Sequence, residues 1–233
     1  MSRKIPLILA PGLLCDRALW QAQIVALGDI AEIAVADVTR DASLAAMARR
    51  LLAQAPPRFA LAGFSMGGYC ALEVMRQAPG RVARLALLDT SARADTPEQT
   101  SRRRGLIELA EKGEFKGVTP RLLPLLVHPD RLKDTILVRE VMAMAERIGK
   151  DAFLRQQQAI MSRIDSRPFL AEIRCPTLVL CGRHDALTPP ALAEEIGAGI
   201  PGAQLDMIDH CGHLSPMERP DAVTAELRQW LTA

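Results

Sequence analysis

The sequence predicts an α/β fold in which about six mainly parallel strands form a sheet flanked by helices. Two observations point to it: short apolar runs alternate with helical patterns, and the runs that predict strands are continuously apolar. Such alternation is typical of parallel sheets. Continuous apolar strands fit this arrangement because helices cover both faces of the sheet. A chain of this length allows one large domain with an insert, and it can bury a core without disulfides or metals.

Four predicted strands and three predicted helices alternate along the first 90 residues. Each strand is a short apolar run, and each helix shows apolar residues at helical spacing. The predicted strands are Ile5–Ala10, Ala31–Ala36, Arg58–Phe64 and Val82–Leu88. The predicted helices are Arg17–Leu27, Ser43–Gln54 and Met66–Gln77.

A long helical segment, Ser91–Ile173, separates the fourth predicted strand from the fifth. Apolar residues recur along it at helical spacing, and several prolines break it into pieces because proline interrupts a helix. We therefore expect a helical insert formed by residues 91–173 and a core formed by residues 1–90 and 174–233. We expect four apolar residues to belong to the insert's own core: Met142, Met144, Phe153 and Met161.

The remaining residues complete the alternation of strands and helices. Strands near Thr177–Cys181 and Gln204–Ile208 are followed by helices near Pro190–Ile196 and over Ala222–Leu231. In a parallel sheet the carboxyl ends of the strands meet at one edge, where functional side chains gather.

The composition excludes several classes of function. Lys and Arg number 29 against 27 Asp and Glu, so the net charge of +2 argues against nucleic acid as a partner. With only five Phe, two Trp and one Tyr, the chain is poor in the aromatic residues that stack on bases. No apolar run reaches the roughly 18 residues of a membrane span, which argues against a membrane partner.

The N-terminus and the cysteines indicate a cytoplasmic protein. A basic start followed by an apolar stretch is similar to a signal peptide, but Pro6, Pro11 and Gly12 interrupt that stretch. The five cysteines are odd in number and form no CxxC pair, so neither a disulfide framework nor a zinc-binding motif is indicated. We expect reduced, mostly buried thiols.

The sequence Gly63-Phe64-Ser65-Met66-Gly67 matches the pattern G-x-S-x-G. It lies between a predicted strand and a predicted helix, where the nucleophile of a hydrolase sits on a sharp, strained turn. Only small residues at 63 and 67 let the neighbouring backbones pass. We predict that Ser65 is a nucleophile. The simpler alternative is a glycine-rich turn without chemistry.

A serine hydroxyl needs a general base to become a nucleophile near neutral pH. Of the four histidines, His213 follows the last predicted strand and lies at the same sheet edge as Ser65. His210, three residues earlier, is its rival. We expect His128, which precedes a proline, to be a surface or capping residue, and His184 to face solvent.

The base in turn needs an acid that orients its ring. Asp185 follows the strand near Thr177–Cys181 and precedes His213 in the chain. The order Ser65, Asp185, His213 is the nucleophile–acid–base order typical of hydrolases of this fold class. Asp89, at the end of the fourth predicted strand, is the best competitor.

A carbonyl reaction also needs donors for the developing oxyanion. The N–H of Met66, directly after the nucleophile at the start of a helix, is one candidate. The second is the N–H of Leu13 in the loop after the first strand, where Gly12 lets the backbone turn. The alternative for Leu13 is an ordinary connecting loop.

Four sequence motifs together carry a family resemblance: PGLLCD, GFSMGG, PTLVLCGRHDALTPP and CGHLSPMERP. With them the chain resembles the α/β-hydrolase superfamily, in its cofactor-free group of small esterases, enol-lactonases and carbon–carbon bond hydrolases. One departure is Pro11-Gly12, where many members have His-Gly.

The resemblance implies roles for the five residues singled out above. Ser65 would be the nucleophile, Asp185 the acid and His213 the base, with Leu13 and Met66 as oxyanion donors. It further implies an all-parallel, six-stranded sheet, in which the first strand lies beside the third. Residues 91–173 would form a cap over the pocket, and no metal or organic cofactor is implied.

The function that follows is hydrolysis of a carboxylic ester-like bond in a small-molecule substrate. A serine at 65 argues against dehalogenases and epoxide hydrolases, whose relatives carry a carboxylate there. An enol-lactone or carbon–carbon bond hydrolase is the alternative, and Arg163, Arg167 or Arg17 would then bind a substrate carboxylate. A ligand-binding receptor that retains the triad is the alternative from another class.

Overall fold

The computed structural model describes residues 4–233, so the first three residues of the predicted 1–90 segment lie outside it. Its strands are β1 (Ile5–Ala10), β2 (Ala31–Val35), β3 (Phe59–Phe64), β4 (Val82–Leu88), β5 (Thr177–Gly182) and β6 (Gln204–Ile208). They form one sheet in the order β2-β1-β3-β4-β5-β6, and every neighbouring pair is parallel. The predicted fold class is therefore confirmed, and each strand end lies within one residue of its predicted position.

Helices lie between these strands and after the last of them. They are α1 (Gln21–Leu27), α2 (Leu44–Gln54), α3 (Met66–Gln77), α4 (Pro97–Leu109), α5 (Leu123–Leu126), α6 (Thr135–Met161), α7 (Arg167–Leu170), α8 (Pro190–Gly199), α9 (Ser215–Glu218) and α10 (Pro220–Thr232). The predicted helix over 17–27 is divided, since a 3₁₀ turn at Arg17–Trp20 precedes α1. Among residues 4–233, no helix combines the length and the apolar character needed to cross a membrane.

The core lies on both faces of the sheet. Residues of α2, α3 and α8 pack with Leu61 and Leu85 in one buried cluster. On the opposite face, residues of α1 and α10 pack with Leu9 and Leu180. All six positions of β3 and of β5 are buried, because both faces of these inner strands are covered.

The insert between β4 and β5 contains α4 to α7. Its longest helix, α6, is interrupted at Gly149, whose φ of 75° and ψ of 176° are not helical. Met144 belongs to the same buried cluster as Leu9 and Phe64 of the sheet. The expectation that Met144 packs in a core private to the insert is therefore wrong, because α6 packs against the main core.

The cysteines carry free thiols, and four of the five are buried, as the sequence predicts. Burial raises the pKa of Cys15 and of Cys70 to about 12. Because the thiolate is the reactive form, these side chains are inert near neutral pH.

The order of the strands brings two loops together at the carboxyl edge of the sheet. β1 pairs with β3, and Ala10 lies opposite Gly63. The loop after β1 and the turn after β3 therefore begin side by side, which is the adjacency that the family resemblance implied.

Candidate active site

Ser65 lies on a sharp turn between β3 and α3, with φ 51° and ψ −115°. The turn brings backbones so close that a Cβ on Gly63 would lie 2.4 Å from the carbonyl oxygen of Gly67. A Cβ on Gly67 would lie 2.0 Å from the carbonyl oxygen of Ala10. Glycine at both positions is thus required by space. Ser65 remains partly exposed, although the residues on both sides of it are buried.

His213 lies in the loop after β6, and its ring reaches Ser65. Its Nε2 is 3.0 Å from Ser65 Oγ, and the ring is buried beside Phe64 with their centroids 5.1 Å apart. The N–H groups of His213 and Leu214 both donate to the carbonyl oxygen of Leu126, each at 3.1 Å. The insert therefore helps to hold the loop that carries His213.

Asp185, in the loop after β5, completes a chain of hydrogen bonds. Its Oδ2 lies 2.8 Å from His213 Nδ1 and accepts the hydroxyl of Thr188 at 2.5 Å. Its Oδ1 accepts the N–H groups of Leu187 at 2.8 Å and Thr188 at 2.9 Å. A carboxylate held in this way fixes a proton on His213 Nδ1. His213 Nε2 is then free to accept the proton of the Ser65 hydroxyl.

The electrostatics of the pair favour its charged forms. Burial raises the pKa of Asp185, but the charge of His213 and the hydrogen bonds from His213 and Thr188 outweigh it and hold the pKa below its usual value. Burial lowers the pKa of His213, but the charge and hydrogen bond of Asp185 leave it above the usual 6.5. The site thus stabilises an imidazolium at His213.

Asp89 and His210, the alternatives to Asp185 as the acid and to His213 as the base, make other contacts. Asp89 is fully buried, accepts the N–H of Gly182 at 2.8 Å and bonds the hydroxyl of Ser215. Burial and the charge of Asp185 raise the pKa of Asp89 well above its usual value. The side chain of His210 is 69% exposed and lies 3.4 Å from the carboxylate of Asp130.

The other two histidines lie beside His210, with ring centroids 5.8 Å (His128) and 6.5 Å (His184) from that of His210. His128 is buried, and its Nδ1 accepts the N–H of Asp130 at 3.2 Å, so the predicted capping role is confirmed. His184 is exposed, as predicted. Within residues 4–233, His213 is the histidine that contacts Ser65.

The loop after β1 approaches the serine closely. A Cβ on Gly12 would lie 3.3 Å from the Cβ of Ser65. The N–H of Leu13, the next residue, donates no hydrogen bond to residues 4–233, and neither does that of Met66. Met66 is the first residue of α3, where an N–H has no acceptor within the helix.

Gln156 of α6, which the sequence did not indicate, holds this loop in place. Its Oε1 accepts the N–H of Leu14 at 3.1 Å, and its Nε2 donates to the carbonyl oxygen of Val38 at 3.2 Å. Leu14 has a φ of 59°, which is strained for a leucine. The buried amide therefore fixes the backbone directly after Leu13.

Glu218 of α9 holds the loop that carries His213 through hydrogen bonds to its backbone. Its buried carboxylate accepts the N–H groups of Gly212 at 3.2 Å, Leu214 at 3.0 Å and His128 at 2.7 Å. Burial raises its pKa above the usual value, although the three N–H donors lower it. The sequence did hint at the importance of Glu218, because it is the acidic residue of CGHLSPMERP, one of the four motifs that carry the family resemblance.

The arginines considered for a substrate carboxylate are engaged elsewhere or exposed. Arg163 pairs with Asp95 at 2.6 Å and lies over the ring of Tyr69 at 4.3 Å. It lines a cleft of about 150 Å³ to which neither Ser65 nor His213 contributes. Arg167 pairs with Asp165 at 2.5 Å, and Arg17 is exposed.

Comparisons with known proteins agree with this fold. A sequence profile described as the Alpha/beta hydrolase family matches residues 9–227. A protein of Azorhizobium caulinodans, provisionally named a carbamate hydrolase, is 29% identical over 93% of this chain and 87% of its own. The pimeloyl-[acyl-carrier protein] methyl ester esterase of Nitrosomonas europaea is 28% identical over 77% of this chain and 73% of its own.

A solved structure matches over the whole chain. It is the thermophilic esterase of Thermogutta terrifontis, which has 30% identity, a TM-score of 0.89 and coverage of 100% of this chain and 91% of its own. The chain therefore belongs to the alpha/beta hydrolase family and is a hydrolase.

Proposed function

We propose that this protein is a serine hydrolase that cleaves an ester-like bond of a small-molecule substrate through an acyl-enzyme on Ser65. The observation that carries the proposal is the continuous chain from Ser65 Oγ to His213 Nε2 at 3.0 Å and from His213 Nδ1 to Asp185 at 2.8 Å. The likeness to esterases supports an ester as the substrate class.

Acylation begins when Ser65 Oγ attacks the carbonyl carbon and His213 Nε2 takes the hydroxyl proton. The Asp185 carboxylate stabilises the imidazolium that forms and keeps its ring in place. The carbonyl oxygen gains negative charge and accepts hydrogen bonds from the N–H groups of Leu13 and Met66. The N-terminus of α3 adds favourable electrostatic potential there. His213 then gives its proton to the leaving alkoxide.

Deacylation repeats these steps with water. His213 Nε2 takes a proton from a water molecule, whose oxygen attacks the acyl carbon. The tetrahedral intermediate collapses, and Ser65 Oγ recovers its proton from His213. The three side chains and two backbone N–H groups supply every proton transfer and every oxyanion contact that this scheme requires.

We assign residues 91–173 as a cap over the pocket, with 1–90 and 174–233 as the catalytic core. Two contacts support this division. Phe153 of α6 is in a buried cluster with Leu14, in the loop after β1 that also carries Leu13. Leu126 of α5 accepts the N–H of His213. The insert thus contacts two of the loops that carry the proposed chemistry.

Hydrolysis of p-nitrophenyl esters from acetate to decanoate tests the proposal, with Ser65→Ala as the control. We expect turnover with an optimum in chain length, and its loss in Ser65→Ala without a change in thermal stability. A burst of p-nitrophenol in the wild type and none in Ser65→Ala would identify the acyl-enzyme. Equal turnover by both proteins would overturn the proposal, and so would the absence of turnover across the whole series.

A further inference from the structure

Three of the four histidines of this chain lie together outside the proposed triad. The ring centroid of His128 is 4.6 Å from that of His184 and 5.8 Å from that of His210. The carboxylate of Asp130 lies between two of them. Its Oδ2 is 3.5 Å from His128 Nδ1 and 3.4 Å from His210 Nδ1. The proposed hydrolysis uses none of these four side chains.

We infer that His128, Asp130 and His210 form a binding site for a divalent transition-metal ion such as Zn²⁺. Imidazole nitrogen and carboxylate oxygen are ligands that this class of ion prefers. Tetrahedral ligands at 2.0–2.1 Å from zinc lie about 3.3 Å from one another. The two separations to Asp130 Oδ2 are 3.4 and 3.5 Å, and the ligand atoms of all three residues lie within 4.8 Å of one another.

The site is open to solvent on one side and anchored on the other. The side chains of Asp130 and His210 are 62% and 69% exposed, so an ion can enter and both can adjust. The side chain of His128 is only 9% exposed and therefore supplies a fixed ligand. An ion bound at His128 Nδ1 displaces the hydrogen bond from the N–H of Asp130. Because Asp130 is exposed, that N–H can bond water instead.

The fourth ligand of the ion is either His184 or a water molecule. The exposed ring of His184 packs edge-on against His128. The backbone N–H of His184 donates to the carbonyl oxygen of Cys211 at 2.9 Å, so the loop after β5 is fixed beside the loop after β6. Replacing His184 distinguishes these two possibilities, because the ion loses a ligand only if His184 is the fourth one.

The position of the site gives the ion a structural role beside the triad. His210 precedes His213 by three residues in the same loop. The N–H of His128 donates to Glu218, which also holds Gly212 and Leu214. An ion held by His128 and His210 would therefore join the insert to the loop of the proposed base, and it would act on catalysis only through position.

Calorimetric titration of Zn²⁺ into chelator-stripped protein tests the inference, in the Ser65→Ala background so that hydrolysis has no part in the readout. We expect saturable binding of one ion and a rise in the thermal midpoint. His210→Gln and Asp130→Asn should each weaken binding at least about tenfold. Asp221→Asn is the matched control, since it removes another exposed carboxylate and should leave binding unchanged.

Two further variants sharpen the outcome. Cys175→Ser removes the thiol that is only partly buried, so unchanged binding there excludes Cys175 as a ligand of the ion. His184→Gln weakens binding if His184 is the fourth ligand and leaves it unchanged if water is. The inference is overturned if Zn²⁺ shows no saturable binding, or if His210→Gln and Asp130→Asn bind it as tightly as the parent protein. Neither outcome would bear on the esterase proposal.

Discussion

Replacement of Asp185 by asparagine should invert the proton arrangement of His213. Two backbone N–H groups, those of Leu187 and Thr188, point at Asp185 Oδ1 at 2.8 and 2.9 Å. The amide oxygen of an asparagine must stay at that position, because its NH₂ group would face two donors there. The NH₂ group therefore takes the place of Oδ2, 2.8 Å from His213 Nδ1.

An amide donor at that place requires an unprotonated Nδ1. The proton of a neutral His213 then moves to Nε2, which donates to Ser65 Oγ and can no longer accept its proton. The equivalent change in a serine triad lowers kcat by a factor on the order of 10⁴. That factor corresponds to about 5.4 kcal/mol of lost transition-state stabilisation. We expect a loss of this size because the backbone donors fix the amide orientation.

Asp89→Asn is the matched control for this experiment. Its amide oxygen can keep the N–H of Gly182, and its NH₂ group can donate to the hydroxyl of Ser215, so we expect kcat within about tenfold of wild type. Steady-state hydrolysis of an activated ester measures both variants, and circular dichroism checks their folding. The reasoning is refuted if Asp185→Asn keeps more than a tenth of the wild-type kcat, or if Asp89→Asn loses as much as Asp185→Asn.

Three other changes test further parts of the structure. A Cβ at position 67 would lie 2.0 Å from a backbone oxygen, so Gly67→Ala should lower the free energy of unfolding by at least about 3 kcal/mol. A urea titration that shows a loss of less than about 1 kcal/mol would contradict the close packing. Gln156→Leu should leave the N–H of Leu14 and the carbonyl of Val38 unpaired, at a cost of about 2 kcal/mol of stability, and lower kcat by up to about 10². An unchanged kcat would show that the loop needs no such support. His213 must be neutral to act as a base, and Asp185 holds its pKa above 6.5 against the effect of burial, so kcat/KM should fall as the pH drops through a midpoint above 6.5. A midpoint below that value would contradict the ion pair.

The fold could be predicted from the sequence because its inner strands β3 and β5 are buried on both faces. β3 and β5 are apolar at nearly every position, so their ends coincide with the ends of apolar runs. The convergence of Ser65, Asp185 and His213 was also predictable, since each lies in the turn or loop that follows a strand. Topology alone then brings their loops to one edge of the sheet.

The supporting residues could not be predicted because their partners are remote in the chain. Gln156 bonds Leu14 across 142 positions, and nothing near residue 156 marks it as different from other glutamines of a helix. The break in α6 at Gly149 could not be predicted for a different reason: apolar residues keep their helical spacing on both sides of it. Met144 was assigned to the wrong core, since a pattern of burial does not say which surface covers it.

The most direct test of the account is to find where the acyl group is held. Protein mixed with p-nitrophenyl acetate and quenched in acid within the burst phase can be digested and examined by mass spectrometry. We predict one acetyl group on the peptide that contains Ser65, more of it in Asp89→Asn than in Asp185→Asn, and none in Ser65→Ala. An acetyl group on another residue, or a Ser65→Ala protein that still turns over the ester, would contradict it.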